Sequence, residues 1–566
     1  MRRAAVHSTV GALALTISVA GTAATAGPAA TAATAGPAAT PGTGGAEPAV
    51  PGVPAISAGL PDGPVEAMGV RSAARAAAAT GIGWKKCPEA EEMPRTVECG
   101  TVSVPVDYAE PGGKQIALTV SRSRATGPKA ERLGPLVYNP GGPGGNGMNF
   151  ALHGKLAGVW KHLNARYDFV GYAPRGVGRS GPLSCQDPKR FLQGPNTSPL
   201  RPTNAYKRKM NARAAAYAEG CAKAQPDRLP HYTTVNNARD LDVLRAALGR
   251  RKLNFFGVSY GTYIGSVYAT LFPGHVRRLV LDSVVDPSQD SIWYRSNLGQ
   301  NHAFETRWSD WKKWTAKHHA TYGLGRTPRQ VQAAFDRVRA AADREPVGRK
   351  VGSKELVAAF LDTGYSDSSW PKHAHALSRY RKGDPKPLLK EATPDLASAK
   401  KEENSNAVYN AVECNDAPWP RDWATWDRDN TASAAVAPFN TWDNAWMNLP
   451  CAYWKTVPTR PLEVGTGPGR LPPVLLLAAT RDAATPYHGA LETRRRLSGS
   501  SLVTEKGAGT HGVTGGNKCA DAHLERYLLE GKTPGDHAEC AARPEPEPGT
   551  KKSAQTKAAD LAEPAR

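Results

Sequence analysis

Apolar, β-rich runs recur along the chain from about residue 81 and alternate with stretches of helical character, the rhythm of a mostly parallel sheet wrapped by helices. They predict strands near 101–106, 116–121, 135–138, 167–172, 253–257 and 278–284, and again near 473–478 and 500–504. Between the sixth and seventh runs the rhythm breaks. Residues 331–341 and 354–361 have helical apolar spacing, whereas 419–454 is rich in tryptophan and interrupted by proline and asparagine. The pattern therefore predicts an α/β core in two parts, 81–287 and 466–541, around an inserted, largely helical cap at 288–465. The cap holds eleven of the thirteen tryptophans. Most are expected to pack its own core, and a few to line an apolar cleft above the sheet.

The ends of the chain lack this patterning. Met1-Arg2-Arg3, an apolar stretch over 10–20 and the small residues Ala24-Thr25-Ala26 read as a secretory signal within 1–35. Residues 22–30 are repeated at 31–39, so Ala26 and Ala35 occupy equivalent cleavage positions. The apolar stretch is too short and too rich in Ala, Thr and Gly for a membrane span, and no stable membrane insertion is expected. Residues 36–80 carry few large apolar side chains and read as a disordered leader or propeptide. Residues 542–566, rich in Pro, Glu, Lys and Ala, read as a flexible tail.

Export changes the reading of the eight cysteines, none of which forms a Cys-x-x-Cys pair. Disulfides are favoured over zinc, and no metal or organic cofactor is implied. Short closed loops point to Cys87 with Cys99, Cys185 with Cys221, Cys414 with Cys451, and Cys519 with Cys540. The formal charge of +21, from 72 basic and 51 acidic residues, is scattered over the sequence. Groups such as Arg494-Arg495-Arg496 lack the interleaved aromatics or motifs of nucleic-acid binders, so no nucleic-acid partner is expected. Association with an anionic cell wall is compatible with the charge.

Within this frame, Gly257-Val258-Ser259-Tyr260-Gly261 follows a buried strand and precedes the helix-like stretch Thr262 to Leu271. A serine on such a sharp turn is exposed at the sheet edge, where a base can remove its proton. A chain with 56 glycines can contain this pentapeptide by chance, so three further pieces carry the case. Asp482 lies in a loop after the strand 473–478, and His511 lies in the glycine-rich loop after 500–504. The order Ser259, Asp482, His511 is that of nucleophile, acid and base in α/β-hydrolases. Asp282 and Asp286 are rival acids, and His488 and His523 are neighbouring histidines. The third piece is the loop Asn139 to Gly145 after the strand 135–138. Its Gly142 N–H, with that of Tyr260, supplies a two-donor oxyanion hole. A phosphate loop is disfavoured because no Gly-Lys-Ser/Thr follows and the prolines remove donors. The segment 168–180 reads as architectural, with Arg175 holding nearby loops.

The motifs NPGGPGGNG at 139–147, GYAPRGVGRSGP at 171–182, the run 253–288, AVYNAVECNDAPWP at 407–420, NAWMNLPCAYW at 444–454, RDAATPYHGA and GTHGVTG resemble the α/β-hydrolase peptidases that include proline iminopeptidases, and within them the secreted bacterial tripeptidyl aminopeptidases. The resemblance covers about 82–541. It implies that Ser259, Asp482 and His511 are the triad and that the activity releases tripeptides from peptides with free N-termini. Iminopeptidases carry His-Gly-Gly-Pro-Gly where this chain has Pro140, a departure that fits the tripeptidyl branch better. The alternatives are a proline iminopeptidase-like aminopeptidase and a secreted esterase or lipase with the same triad. An exopeptidase must also hold the substrate ammonium, and a cap carboxylate at a fixed distance from Ser259 would supply charge pairing and a ruler. Glu413 and Asp416, with Glu402 and Glu403 behind them, are the candidates.

Overall fold

A computed structural model describes residues 63–549. The expected signal segment with Ala26 and Ala35, most of the leader, and 550–566 of the tail lie outside the described residues. Ten strands form one sheet: β1 (Lys85–Lys86), β2 (Glu98–Pro105), β3 (Gln115–Ser123), β4 (Gly134–Asn139), β5 (Tyr167–Tyr172), β6 (Leu253–Val258), β7 (Val276–Asp282), β8 (Val474–Ala479), β9 (Ser500–Lys506) and β10 (His537–Ala541). Their order is β1-β2-β3-β5-β4-β6-β7-β8-β9-β10. The first three joins are antiparallel, and everything from β5 to β10 is parallel. The central strands β4, β6 and β8 are buried nearly throughout because helices cover both faces, which is why they read as continuous apolar runs rather than alternating ones.

Register decides what the sheet presents. Asn139 stands opposite Gly257, Val258 opposite Asp282, Asp282 opposite Leu477, and Ala479 opposite Glu505. The carboxyl ends of β4, β6, β7, β8 and β9 thus finish at one level, and the loops leaving them converge on one edge of the sheet. Behind that edge, the fully buried guanidinium of Arg175 binds both oxygens of Asp240 at 2.6 and 2.8 Å and the carbonyls of Pro105, Val106 and His231. This pins the loop after β5, as expected of an architectural segment.

The insertion between β7 and β8 is helical. Its long first helix, Tyr294–Lys317, packs against Pro328–Arg344 around a core in which Trp308 stacks on Trp311 and Phe439 at 4.6 and 4.2 Å. The tryptophan-rich stretch forms two helices, Trp423–Val436 and Thr441–Asn448, separated where Pro438 and Asn440 interrupt. Disulfides join Cys87 to Cys99, Cys185 to Cys221, Cys414 to Cys451 and Cys519 to Cys540. The third ties the helix Ala399–Asp416 to the end of the tryptophan-rich stretch, and the fourth ties the last helix, Lys518–Glu530, to β10.

Two expectations about the ends require correction. The last part of the expected leader is a helix, Pro64–Thr80, with proline in its first turn and Gly81 at φ 65° after its end. It packs on the helix Thr234–Ala247 and buries Val70 and Ala77. Its alanines favour helix and permit close approach: a Cβ on Gly69 would stand 1.8 Å from the Tyr108 carbonyl oxygen. A criterion based on large apolar side chains misses such a segment. The expected tail is likewise held over 542–549. Arg543 grips Glu505 and the carbonyls of Gly512 and Val513, Trp314 donates to the Pro546 carbonyl, and the Gly549 N–H donates to Tyr322. Single polar anchors of this kind leave no periodic trace in a sequence.

Candidate active site

Ser259 sits between β6 and the helix Tyr260–Leu271 with φ 57° and ψ −128°, a conformation that strains any residue with a side chain. The glycines around it are required by close approach. A Cβ on Gly257 would lie 2.3 Å from the Gly261 carbonyl oxygen, and one on Gly261 would lie 2.5 Å from that of Asn139. The helix beyond is buried from Tyr260 to Ala269, so packing of an apolar helix against the sheet fixes the turn from behind. The Ser259 N–H donates to the Asp282 carbonyl at 3.0 Å, tying the elbow to the next strand.

The loop after β4 rests on this turn. Gly141 has φ 97°, and a Cβ there would stand 2.8 Å from Ser259 Cβ and 2.9 Å from Tyr260 N. Asn139 shapes the loop, accepting from the Gly141 N–H at 2.9 Å while donating to Tyr172 at 3.1 Å. Gly142, Ser259 and Tyr260 line one cavity of about 310 Å³. Tyr260 opens its helix, where backbone N–H groups have no intrahelical acceptor.

On the other side of the edge, His511 Nδ1 lies 2.9 and 3.0 Å from the two oxygens of Asp482. Both side chains are almost completely buried. Asp482 Oδ1 also accepts from the N–H groups of Ala484 and Thr485 at 3.0 Å, and the Thr485 hydroxyl donates to Oδ2 at 3.1 Å. Burial works against the imidazolium, but the charge and hydrogen bond of Asp482, with Asp282 behind, outweigh it and raise His511 above the usual histidine value. Burial likewise opposes ionisation of Asp482, and His511 overcomes it, holding that carboxyl below its usual range.

The rival groups do other work. Asp282 is wholly buried and accepts from the N–H groups of Val513 and Thr514 and from the Thr514 hydroxyl, which anchors the loop carrying His511 rather than its ring. Asp286 turns onto the Ser288 N–H and hydroxyl and faces His488 across 3.6 Å at the cavity wall. His523 stands beside the Cys519–Cys540 disulfide, whose sulfurs are already bonded to each other.

Among the four cap acids, the cavity wall includes Glu413 and not Glu403 or Asp416. Glu403 is fully buried and accepts from the Cys185 and Gln186 N–H groups and from Tyr217. Asp416 takes the Thr234 N–H at 2.7 Å, its hydroxyl at 2.5 Å and Trp293 Nε1 at 3.3 Å. These two cap backbone donors and fasten the cap to the core, so the expectation that they bind the substrate amine is corrected. Glu413 receives Asn297 Nδ2 at 3.2 Å, and Asn297 and Tyr409 are both bonded to Asn448. Burial pushes Glu413 up to about 8 against the hydrogen bonds of Tyr409 and Asn297, which favour its ionised form. No lysine or arginine among the described residues is paired with it. Asn297 and Tyr409 were not singled out from the sequence. Tyr409 was findable, since it stands four residues before Glu413 on one helix face.

The cleft is also less apolar than expected. Trp293 and Met447 contribute to it, but Asp286, Asp290 and Glu413 supply three carboxyl groups beside Arg295 and His488.

Comparison with known proteins identifies relatives of the chain. A family described as "TAP-like protein" matches residues 437–540. The chain is 51% identical over 488 residues to a tripeptidyl aminopeptidase of Streptomyces lividans, covering 85% of this chain and 91% of that one. It is 31% identical over 485 residues to the serine protease Hip1 of Mycobacterium tuberculosis, covering 81% of this chain and 91% of that one. A carboxylesterase B of Mycobacterium tuberculosis is 30% identical over 479 residues, covering 81% of this chain and 89% of that one.

Proposed function

We propose, for a chain that belongs to the tripeptidyl aminopeptidase family of α/β-hydrolases, that Ser259, His511 and Asp482 carry out its acyl transfer and Glu413 receives the substrate's amino terminus. The protein is a serine aminopeptidase that releases tripeptides from peptides with a free N-terminus. His511 Nδ1–H donates to Asp482, which leaves Nε2 unprotonated to take the Ser259 proton. The serine oxygen then adds to the carbonyl carbon of the third residue. The oxyanion is received by the N–H groups of Tyr260 and Gly142. His511 delivers its proton to the departing amine, and water, activated by the same imidazole, releases the tripeptide from the serine.

The observation that carries this reading is the buried Asp482–His511 pair at the sheet edge where Ser259 is held at φ 57°. Removal of three residues, rather than any internal cut, calls for a charge at the closed end of the cleft. Glu413 is the candidate for that charge, being a buried carboxyl on the cavity wall with polar neighbours and no paired lysine or arginine among the described residues. An arriving ammonium ionises it. The same acyl chemistry serves esters, yet three carboxyl groups against one arginine around the cleft favour a substrate with a cationic end. Four disulfides support export, since such bonds persist outside the reducing cytosol. Among the described residues no helix is long and apolar enough to cross a membrane.

Glu413→Gln is expected to raise KM for free-amine peptides about 10- to 100-fold, the loss of one charge-assisted hydrogen bond, while kcat and the weak turnover of N-acetylated peptides stay unchanged. Because the buried carboxyl of the free enzyme is largely protonated below about 8, the amide should leave the melting temperature at pH 7 almost unaltered. Steady-state kinetics on a matched pair of free and acetylated peptides reads the result. An unchanged preference for the free amine removes Glu413 from the site.

A further inference from the structure

The loops carrying Asp482 and His511 leave β8 and β9, yet both are gripped from the cap. Arg481, the residue before Asp482, places its guanidinium against both oxygens of Asp310 on the first cap helix, at 2.6 and 2.9 Å. Its own N–H donates to the carbonyl of Ala508 in the His511 loop at 2.9 Å, so the two loops are bonded to each other as well. Asp310 is shared with Arg307 one turn earlier, whose other arm binds Asp367. Arg307 packs closely against the His511 loop: a Cβ on Gly509 would stand 2.3 Å from its Nε, so a larger residue there would have to displace it. Next in the loop, the Thr510 hydroxyl accepts from the Asp367 N–H at 3.4 Å. The His511 N–H donates to the Tyr365 carbonyl at 2.7 Å, and the Tyr365 ring meets the imidazole edge to face at 5.6 Å. Tyr365 also lines the cavity.

We propose that Arg481, Asp310, Arg307 and Tyr365 are positioning residues through which the cap sets the orientation of His511 and Asp482, so that the cap is part of the general-base apparatus as well as the wall of the cleft. The proposal rests on the reading that His511 and Asp482 are base and acid. Its physical basis is directional. A planar guanidinium bound by two parallel bonds fixes angle as well as distance, and an ammonium cannot do so. The chain Arg307–Asp310–Arg481 therefore holds the backbone of residue 481 in one orientation relative to the first cap helix. The imidazole, with its backbone N–H held by Tyr365 and its Nδ1 by Asp482, has little freedom left.

The test uses Arg481→Lys, Arg481→Gln and Asp310→Asn in the full-length chain. Arg481 is 37% exposed, so its variants are expected to fold. Each is compared with the parent for kcat, KM, thermal midpoint and the acid limb of the kcat profile, with His511→Ala as a control. A base tilted by a fraction of an ångström is expected to lower kcat about 10-fold while KM stays within about 2-fold of the parent. Arg481→Lys should fall between the parent and Arg481→Gln. The charged groups facing His511 are Asp482, in hydrogen-bond contact, and Asp282 behind it, with the Thr485 hydroxyl and Tyr365 completing its surroundings. Looser contact with Asp482 leaves burial less opposed, so the acid limb should move to lower pH. The double variant Arg481→Gln with Asp310→Asn should be no worse than Asp310→Asn alone. Unchanged kcat in all three single variants, or a lower kcat with the acid limb unmoved, overturns the proposal. Full activity in His511→Ala would instead overturn the assignment of the base on which it rests.

Discussion

Ser259→Ala is expected to lower kcat by about 10⁵-fold or more, leaving only the acceleration due to binding and the oxyanion donors. The expectation follows from the local geometry. The backbone strain at φ 57° is imposed by the β6 turn, by the apolar helix behind it and by the close backbone packing that leaves no room for a Cβ at Gly257 and Gly261, and alanine at 259 changes none of these. The methyl group occupies the position of the serine Cβ, so KM should stay within about 2-fold and the thermal midpoint should hardly move. Covalent labelling by a fluorophosphonate probe should disappear in the same variant. Retained labelling, or a kcat within about 10-fold of the parent, would mean that another residue is the nucleophile.

The second large effect separates two buried aspartates that sequence alone leaves as rivals. Asp482→Asn is expected to lower kcat about 10⁴-fold with the fold intact. The asparagine oxygen would keep the Ala484 and Thr485 N–H groups, turning its NH₂ toward His511 Nδ1. The imidazole proton is then forced onto Nε2, where the serine proton has to go. Asp282→Asn should behave in the opposite way. Its carboxylate collects donors from Val513 and Thr514, and an amide must present hydrogens to some of them. That costs about 1–3 kcal/mol of stability for each buried donor left unsatisfied and lowers the thermal midpoint, with kcat within about 10-fold of the parent. Measuring kcat and thermal midpoint for both variants decides the assignment. An inactive Asp282→Asn beside an active Asp482→Asn would exchange the roles.

The raised pKa of His511 has a signed consequence for activity. The base works only when neutral, so activity is present above its pKa and is lost as pH falls through it. The acid limb should therefore lie at higher pH than an unperturbed histidine, near 6.5, would give.

What the sequence disclosed follows from how the interactions are encoded. The strands of the parallel sheet were legible because burial on both faces demands unbroken apolar runs, as in β6 and β8. The elbow was legible because close backbone approach admits only glycine at 257 and 261. The helix Pro64–Thr80 was not, because alanine packing depends on proximity rather than apolar bulk. Among the cap acids, Glu403 and Asp416 share charge, neighbourhood and helix with Glu413. Only the partners separate them: backbone N–H groups of the core donate to the first two, while Glu413 meets only the side chains of Asn297 and Tyr409. Such partners lie more than a hundred residues away in sequence for Asn297, and no spacing rule reports them. The grip of Asp310 on Arg481 is hidden for the same reason, across a separation of 171 residues.

Removal of three residues from a free amino terminus by Ser259 chemistry is read out by digesting a defined peptide mixture and identifying every fragment by mass spectrometry. Each peptide is present both unblocked and N-acetylated. Tripeptides are expected, appearing successively from the unblocked peptides alone and absent with Ser259→Ala. Single residues, internal fragments or equal cleavage of the acetylated peptides would contradict this expectation.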